Sequence, residues 1–237
     1  MRKIALHGFT QSPEQWRWIF EEEIVAPWLP GHGPTPDLSA CSFDDAAQSI
    51  LEVARSAPSI LIGYSMGARL ALSALAREPS LFERAILIGV QPGLEEPEAR
   101  AERRLWERRW IDKLESEGLE SFLSAWEQLP LFGDQKGGPQ PQAQAARRRS
   151  HTALGLAHAL RVLGLADMPN HWGDLSRIRC PVELVVGELD EKFRTLAERA
   201  LPRLPSARLH VIPGAGHNPL ESQPEATFAL LRRLAGS

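Results

Sequence analysis

The sequence predicts an α/β fold, in which a mostly parallel sheet is flanked by helices and carries a helical insertion. Short apolar runs alternate with amphipathic stretches over most of the chain, which is typical of a parallel sheet wrapped by helices. This alternation breaks between residues 92 and 172, where no strand-like run occurs. We therefore expect a core formed by residues 1–91 and 173–237, with residues 92–172 forming a helical lid over it.

Each element follows from the spacing of its apolar residues. Strands are predicted at the short apolar runs 4–6, 24–26, 59–64, 85–89, 182–187 and 209–212. Helices are predicted where apolar residues recur at helical spacing, at residues 42–54, 69–77, 98–114, 119–126, 149–163, 192–201 and 224–234. The stretch 133–144 is rich in glycine, proline and glutamine, and it should be a mobile loop.

The composition is that of an ordinary globular protein of 237 residues, 43% of them hydrophobic and 24% charged. With 27 basic and 30 acidic residues the net charge is −3, which argues against a nucleic-acid-binding surface. Of the basic residues, 23 are arginine and four are lysine. This bias follows either from genome composition or from a use of forked arginine side chains to recognise anions.

The sequence gives no sign of a metal site, a disulfide framework or a membrane span. Cys41 and Cys180 are isolated, and the seven histidines lack the spacing of metal ligands. No run of 18 apolar residues occurs, and no signal peptide precedes the first glycine. We therefore expect a cytoplasmic protein without a metal.

Residues 63–67 read Gly-Tyr-Ser-Met-Gly and lie between a predicted strand and a predicted helix. In this context the G-x-S-x-G pattern predicts a sharp turn that exposes Ser65 as a nucleophile. Glycine is needed on both sides because the turn leaves no room for side chains. A serine hydroxyl also needs a histidine partner before it can act as a nucleophile or a base.

Asp190 and His217 complete a Ser-acid-His set in the chain order expected for such a sheet. Asp190 follows the strand at 182–187 and His217 follows the strand at 209–212, so both are expected at the same rim as Ser65. Asp190 is alternatively the N-cap of the next helix, and His217 is alternatively a polar loop residue. Glu188 is the rival for the acid.

An oxyanion hole needs two backbone N–H groups that point at one spot. Met66, directly after Ser65, should supply one, and Phe9, in the loop after the first strand, should supply the other. Alternatively, His7-Gly8 is only a strand-to-loop turn. We interpret the Pro-Gly-His-Gly sequence at 30–33 as a structural turn on the same rim.

These elements resemble the α/β-hydrolase superfamily over nearly the whole chain. The motifs are Leu6-His7-Gly8-Phe9, Leu29-Pro30-Gly31-His32-Gly33, Gly63-Tyr64-Ser65-Met66-Gly67, Gly187-Glu188-Leu189-Asp190 and Gly216-His217. Arg69, the stretch from Pro92-Gly93-Leu94 to Arg103, Trp126 and Arg149 narrow the resemblance to the 2-succinyl-6-hydroxy-2,4-cyclohexadiene-1-carboxylate synthases of menaquinone biosynthesis. In three respects the sequence departs from them: it begins almost at its first strand, without the usual leading hairpin; its stretch 133–144 is rich in glycine, proline and glutamine; and Glu127 places an acid beside Trp126.

The resemblance implies a lyase that eliminates pyruvate from a succinyl-enolpyruvyl-hydroxy-cyclohexene-carboxylate and requires no metal or organic cofactor. Ser65, activated by His217 and oriented through Asp190, would remove a ring proton without forming an acyl-enzyme. The N–H groups of Phe9 and Met66 would stabilise the developing anion.

The substrate so implied is a small polycarboxylate, and no nucleic-acid partner is expected. The candidate binding residues are Arg69, Arg103, Trp126, Arg149 and Tyr64, since forked arginines suit carboxylates in a dry pocket. Each arginine is alternatively a surface residue in an ion pair, Trp126 is alternatively lid core, and Tyr64 alternatively only packs. A carboxylesterase or C–C-bond hydrolase with the same triad remains open, as does a ligand-binding receptor without turnover.

Overall fold

The computed structural model of the protein describes residues 1–20, 24–129 and 141–236. In these residues a single six-stranded sheet has the strand order β2-β1-β3-β4-β5-β6, and every neighbouring pair is parallel. The strands are β1 (Arg2–Leu6), β2 (Ile24–Val25), β3 (Ser59–Tyr64), β4 (Phe82–Ile88), β5 (Val182–Gly187) and β6 (Ala207–Ile212). All the predicted strands are therefore confirmed, with shifted ends.

Helices cover both faces of the sheet. In chain order the described helices are α1 (Glu14–Ile19), α2 (Phe43–Ala54), α3 (Met66–Arg77), α4 (Pro97–Trp126), α5 (Pro141–Arg149), α6 (Ala153–Leu163), α7 (Glu191–Ala200), α8 (Pro219–Ser222) and α9 (Pro224–Ala235). Helices α1 and α8 were not predicted, because they are too short to show a clear apolar period. None of the helices in the described residues is long and apolar enough to cross a membrane.

Two apolar cores lie on opposite faces of the sheet, because successive side chains of a strand point to opposite sides. Leu61 of β3 and Leu87 of β4 pack with side chains of α2, α3 and α7. Ile62 and Ile86, one residue away, pack with side chains of α1 and α9. Burial on both faces explains why these strands read as continuous apolar runs.

Helices α4, α5 and α6 lie between β4 and β5, where the sequence predicts a helical insertion. At Gly118 a φ of 80° and a ψ of −178° interrupt α4, and this break separates the two helices predicted at 98–114 and 119–126. The single helix predicted at 149–163 is wrong, because Thr152 caps a new helix by accepting the Gly155 N–H at 3.0 Å. Of the loop predicted at 133–144, residues 133–140 lie outside the described residues, and 141–144 belong to α5.

The insertion has an apolar core of its own, formed by α4 and α6. Phe122, Trp126 and Leu160 are buried in it, and Phe9 from the loop after β1 packs against it. The Phe9 and Trp126 ring centroids are 5.2 Å apart. This contact sets the insertion over the carboxyl ends of the strands, which is where parallel α/β sheets bind ligands.

Candidate active site

Ser65 occupies a strained turn between β3 and α3. Its φ of 50° and ψ of −108° lie in a region that residues other than glycine rarely adopt. The turn presses Gly67 onto the end of β1, so that a Cβ there would lie 2.3 Å from the Leu6 carbonyl oxygen. A Cβ on Gly63 would lie 2.6 Å from the Gly67 oxygen. The glycines that flank Ser65 are thus required by close backbone approach.

Ser65, His217 and Asp190 form one continuous hydrogen-bond chain at the strand ends. Ser65 Oγ lies 2.9 Å from His217 Nε2, and His217 Nδ1 lies 2.7 Å from Asp190 Oδ2. Because Nδ1 faces a carboxylate, it carries the ring proton, and Nε2 is left to accept a proton from the Ser65 hydroxyl. His217 and Asp190 are both buried.

Asp190 has a second partner, the start of α7. Its Oδ1 accepts the Phe193 N–H at 3.5 Å while Oδ2 faces His217. Asp190 is therefore both the N-cap of α7 and the acid beside the histidine. The rival Glu188 is exposed and instead accepts the Gly214 N–H at 2.8 Å. Asp190, and not Glu188, therefore stands beside the histidine.

Neighbouring groups hold the His217 ring in place. The Phe193 ring lies 4.2 Å from it and the Tyr64 ring 5.7 Å, measured between centroids. A Cβ on Gly89 would lie 2.9 Å from His217 Cε1, so the backbone that follows β4 packs closely against the His217 ring. Tyr64 contributes here and to the apolar core, and it is not among the described residues that line the cavity above Ser65.

The oxyanion-hole candidates are the backbone N–H groups of Phe9 and Met66. Both residues lie at the carboxyl ends of the strands. Strands β1 and β3 are neighbours, with Leu6 opposite Gly63, and Phe9 and Met66 follow those positions. Met66 is the first residue of α3, where a backbone N–H has no acceptor within its own helix. Both residues line the cavity.

A cavity of about 280 Å³ lies over Ser65, between the strand ends and the insertion. Ser65 and His217 open into it, and apolar side chains such as Phe9, Trp126 and Leu165 form much of its wall. Three cationic side chains also line it: Arg69, Arg103 and Lys192. No aspartate or glutamate in the described part of the chain does so. These walls favour an anionic ligand.

Arg69 is the most deeply buried of the three cations, with 8% of its surface exposed. Its Nη1 atom has no hydrogen-bond partner among the described residues. Burial, and then the charge of Arg103, lower the pKa of Arg69 to about 10, so the guanidinium is still charged at neutral pH. A buried guanidinium nitrogen that lacks a hydrogen-bond acceptor is unfavourable, and a bound carboxylate would supply that acceptor.

Arg103 reaches the cavity from α4 and Lys192 reaches it from α7. The Arg103 guanidinium lies 4.0 Å above the Trp106 ring. Burial, and then the charge of Arg103, lower the pKa of Lys192. Lys192 was not predicted as a site residue, although its position two residues after Asp190 at the same strand ends indicates one.

Trp126 fits both of its sequence interpretations. It lines the cavity, and its ring also packs in the insertion core 5.3 Å from the Phe122 ring.

Arg149 does not reach the cavity. Its side chain is 53% exposed and pairs with Glu120, so the surface alternative is the one found. Arg148, one position earlier and about 100° around the helix, is buried instead. It pairs with Glu127 at 2.9 Å, which takes this acid away from the cavity wall.

A second Ser-His-Asp chain begins two turns further along α3. Ser73 Oγ lies 2.6 Å from His171 Nε2, and His171 Nδ1 lies 2.8 Å from Asp174 Oδ2. Ser73 is fully buried and does not line the cavity, so its hydroxyl meets no ligand there. This hydrogen-bond chain was not predicted from the sequence, and we interpret it as a structural link between α3 and the segment before β5. No cluster of histidine, cysteine or acidic residues in the described ranges could hold a metal ion.

The chain is similar to known proteins over nearly its whole length. The alpha/beta hydrolase family matches residues 4–230 of the chain. The 2-succinyl-6-hydroxy-2,4-cyclohexadiene-1-carboxylate synthase of Escherichia coli O1:K1 / APEC is 31% identical, over 98% of this chain and 92% of that protein. The synthase of the same name from Klebsiella pneumoniae is 31% identical, over 99% of this chain and 93% of that protein.

Among solved structures, MenH from S. aureus superimposes with a TM-score of 0.90 at 28% identity, covering 100% of this chain and 95% of that chain. A thermophilic esterase from Thermogutta terrifontis shares the fold with a TM-score of 0.78 at 22% identity, covering 99% of this chain and 89% of that chain. The family match, the synthases and the shared fold lead to one assignment: the chain belongs to the alpha/beta hydrolase family.

Proposed function

We propose that the protein is a lyase that eliminates pyruvate to form 2-succinyl-6-hydroxy-2,4-cyclohexadiene-1-carboxylate in menaquinone biosynthesis. The observation that carries this proposal is the cavity over Ser65, which Arg69, Arg103 and Lys192 line without any carboxylate in the described residues. The proposed substrate has carboxylates on its succinyl arm, its ring and its enolpyruvyl group. Arginine forks and a lysine ammonium suit such a ligand in a water-poor site. The names of the 31%-identical relatives support the same choice.

In the proposed reaction Ser65 acts as a base. His217 Nε2 takes the Ser65 hydroxyl proton, and the Asp190 carboxylate stabilises the resulting imidazolium. The Ser65 oxygen removes a proton from the ring, and the electron pair of that C–H bond forms the new ring double bond. The C–O bond to the enolpyruvyl group breaks, and the departing enolate takes up a proton from the His217 imidazolium to become pyruvate, which restores the neutral histidine. Negative charge that develops on the substrate would be stabilised by the N–H groups of Phe9 and Met66.

The helical insertion, residues 92–172, would act as a lid in this reaction. Trp126 and Leu165 would exclude water from above, which strengthens the attraction between the arginines and the substrate carboxylates. Arg69, one helical turn after Ser65, would bind the carboxylate closest to the reacting carbon.

A carboxylesterase or C–C-bond hydrolase is the second candidate, because the hydroxyl of Ser65 is also within 2.9 Å of the base that a nucleophile needs. In that case Ser65 would form an acyl-enzyme or a water would be activated in its place. The two candidates differ in whether Ser65 ever becomes covalently modified.

The test is pyruvate release by the purified protein from the cyclohexene substrate, followed with a coupled dehydrogenase. Wild type should turn over, while Ser65→Ala and His217→Ala should each lose roughly 10³-fold or more in kcat. Ser73→Ala is the matched control, since it removes the serine of the buried chain and should leave turnover nearly intact. Release no faster than without protein would reject the proposal. Efficient p-nitrophenyl ester turnover with an acyl adduct on Ser65 would favour the esterase.

A further inference from the structure

Glu107 on α4 is a buried carboxylate just outside the cavity, with 4% of its surface exposed. Its Oε1 accepts the Arg103 Nε–H at 2.8 Å and the Leu165 N–H at 2.6 Å. Its Oε2 accepts the Ala166 N–H at 3.3 Å. Three donors from two segments of the insertion thus converge on one side chain, and charge-assisted hydrogen bonds of this kind hold a carboxylate in a single orientation.

The chain beyond α6 is shaped to receive this carboxylate. A Cβ on Gly164 would lie 2.5 Å from the Leu160 carbonyl oxygen and 2.6 Å from Glu107 Oε2, so glycine is required both by the end of α6 and by the carboxylate. Arg100, two turns earlier on the same face of α4, holds the same segment through the Ala166 and Met168 carbonyls at 3.0 Å each. Arg100 and Glu107 therefore both hydrogen-bond the segment 165–168. Of these two residues, Glu107 alone also binds Arg103.

The contact with Glu107 decides which atoms of Arg103 are available to a ligand. Its Nε donates to Glu107 and its guanidinium lies over Trp106, and among the described residues its two terminal nitrogens make no hydrogen bond, so they are available to a ligand in the cavity. The Arg103 side chain is 27% exposed, so without these contacts it has room to turn to solvent. Leu165, whose N–H Glu107 binds, is also part of the cavity wall.

Glu107 further balances the charge of the two arginines. Arg103 disfavours the charged form of Arg69, whereas the carboxylate of Glu107 favours it. A negative charge that faces the arginines from outside the cavity keeps them adjacent without occupying the ligand's place.

We propose that Glu107 is a positioning residue, which fixes the Arg103 guanidinium in the geometry that receives a ligand carboxylate. It acts through Arg103 and does not touch the ligand. This inference rests on the proposed function only in so far as Arg103 binds an anion.

The experiment measures the Kd of 2-succinylbenzoate, a stable dicarboxylate with a succinyl arm and a ring carboxylate, by calorimetry. Glu107→Asp keeps the negative charge but shortens the side chain, so it cannot bind Arg103 and Leu165 together. We expect its Kd to rise about five- to tenfold, as loss of one charge-assisted contact would give. In an Arg103→Met background the same substitution should change Kd by less than about twofold, because the residue through which it acts is gone.

Arg100→Met is the matched control. It loosens the same segment without touching Arg103, so it should lower the thermal midpoint while Kd stays within about twofold of wild type. If Glu107→Asp does not fold, Glu107→Gln in the same two backgrounds replaces it. The readout is then whether its effect on Kd depends on Arg103.

An equal change in both backgrounds would assign Glu107 a purely structural role and overturn the inference. No change in either background, or no measurable binding to wild type, would also overturn it. Binding that depends on Arg103 in this way, together with no pyruvate release, would uphold Glu107 while rejecting the lyase. Pyruvate release, combined with an effect of Glu107 on Kd that does not depend on Arg103, would uphold the lyase and reject the role of Glu107.

Discussion

Arg69 lies one turn of α3 beyond Ser65, and its backbone N–H donates to the Ser65 carbonyl at 3.0 Å. Residues four apart on a helix share a face, so both side chains point towards the strand ends and line the same cavity. The turn that exposes the serine therefore also fixes where the guanidinium stands. This relationship makes Arg69 the first residue to test.

Arg69→Lys should lower kcat/KM for the polycarboxylate substrate by roughly 10- to 100-fold, because an ammonium cannot replace a bidentate fork. Steady-state kinetics of pyruvate release measure this. Arg104→Lys is the control, since Arg104 is exposed and pairs with Asp167 away from the cavity. Equal kinetics for wild type and Arg69→Lys would return Arg69 to a packing role.

Asp190→Asn should reduce kcat by about 10³- to 10⁴-fold, because an amide does not hold the His217 tautomer that leaves Nε2 free to accept a proton. Asparagine is as good an N-cap as aspartate, so the thermal midpoint should barely move. Glu188→Gln serves as the control, because Glu188 binds Gly214 and not His217. A loss of activity on Glu188→Gln as large as that on Asp190→Asn would contradict the assignment.

Gly67→Ala should destabilise the fold by about 3 kcal/mol or more, since the added Cβ meets the β1 backbone and only a shift of main chain can relieve the clash. Gly173→Ala offers a comparison, because a Cβ there meets no described atom within 4 Å. Urea unfolding of the two variants measures the difference. A Gly67→Ala protein as stable as Gly173→Ala would mean that β1 and α3 are not in close backbone contact.

Three buried histidines predict how stability depends on pH. His7, His32 and His151 pack edge to face, with centroid distances of 4.8 Å from His7 to His32 and 5.3 Å from His32 to His151. Burial lowers the pKa of His7 to about 3 and that of His151 to about 4, from 6.5. Between pH 6.5 and 4 these histidines therefore bind protons in the unfolded chain but stay neutral in the folded chain. The free energy of unfolding falls as the pH falls.

His151→Gln should flatten this dependence. Glutamine can still accept the Gly33 N–H, which His151 Nδ1 binds at 2.9 Å, but it does not titrate. The free energy of unfolding should then fall less steeply as the pH drops from 6.5 to 4. The slope of the variant should be smaller than that of wild type by up to about 1.4 kcal/mol per pH unit. Urea unfolding at pH 6.5, 5.5 and 4.5 measures the slopes, and parallel curves for variant and wild type would refute the prediction.

The strands and the positions of Ser65, Asp190 and His217 could be read from the sequence because their causes are local. A strand buried on both faces must be apolar throughout, and a turn pressed against a neighbouring backbone must have glycine. Both conditions leave a trace within a few consecutive residues. The order of the chain then places the ends of parallel strands at one rim, whatever the details of packing.

What lines the cavity was decided by the tertiary structure. Arg148 and Arg149 are chemically identical neighbours, yet one is buried against Glu127 and the other is exposed beside Glu120, because the packing of α5 selects which direction faces inward. Packing also decides that Lys192 lies at the cavity wall. It likewise brings together Ser73 and His171, which are 98 residues apart in the sequence. The sequence alone determined the strand-end residues that converge on Ser65, since backbone geometry constrains them. Of the cations above them, Arg69 and Arg103 were expected from the family resemblance, whereas the presence of Lys192 and the exclusion of Arg149 required the fold, since only packing sets the rotation of a helix.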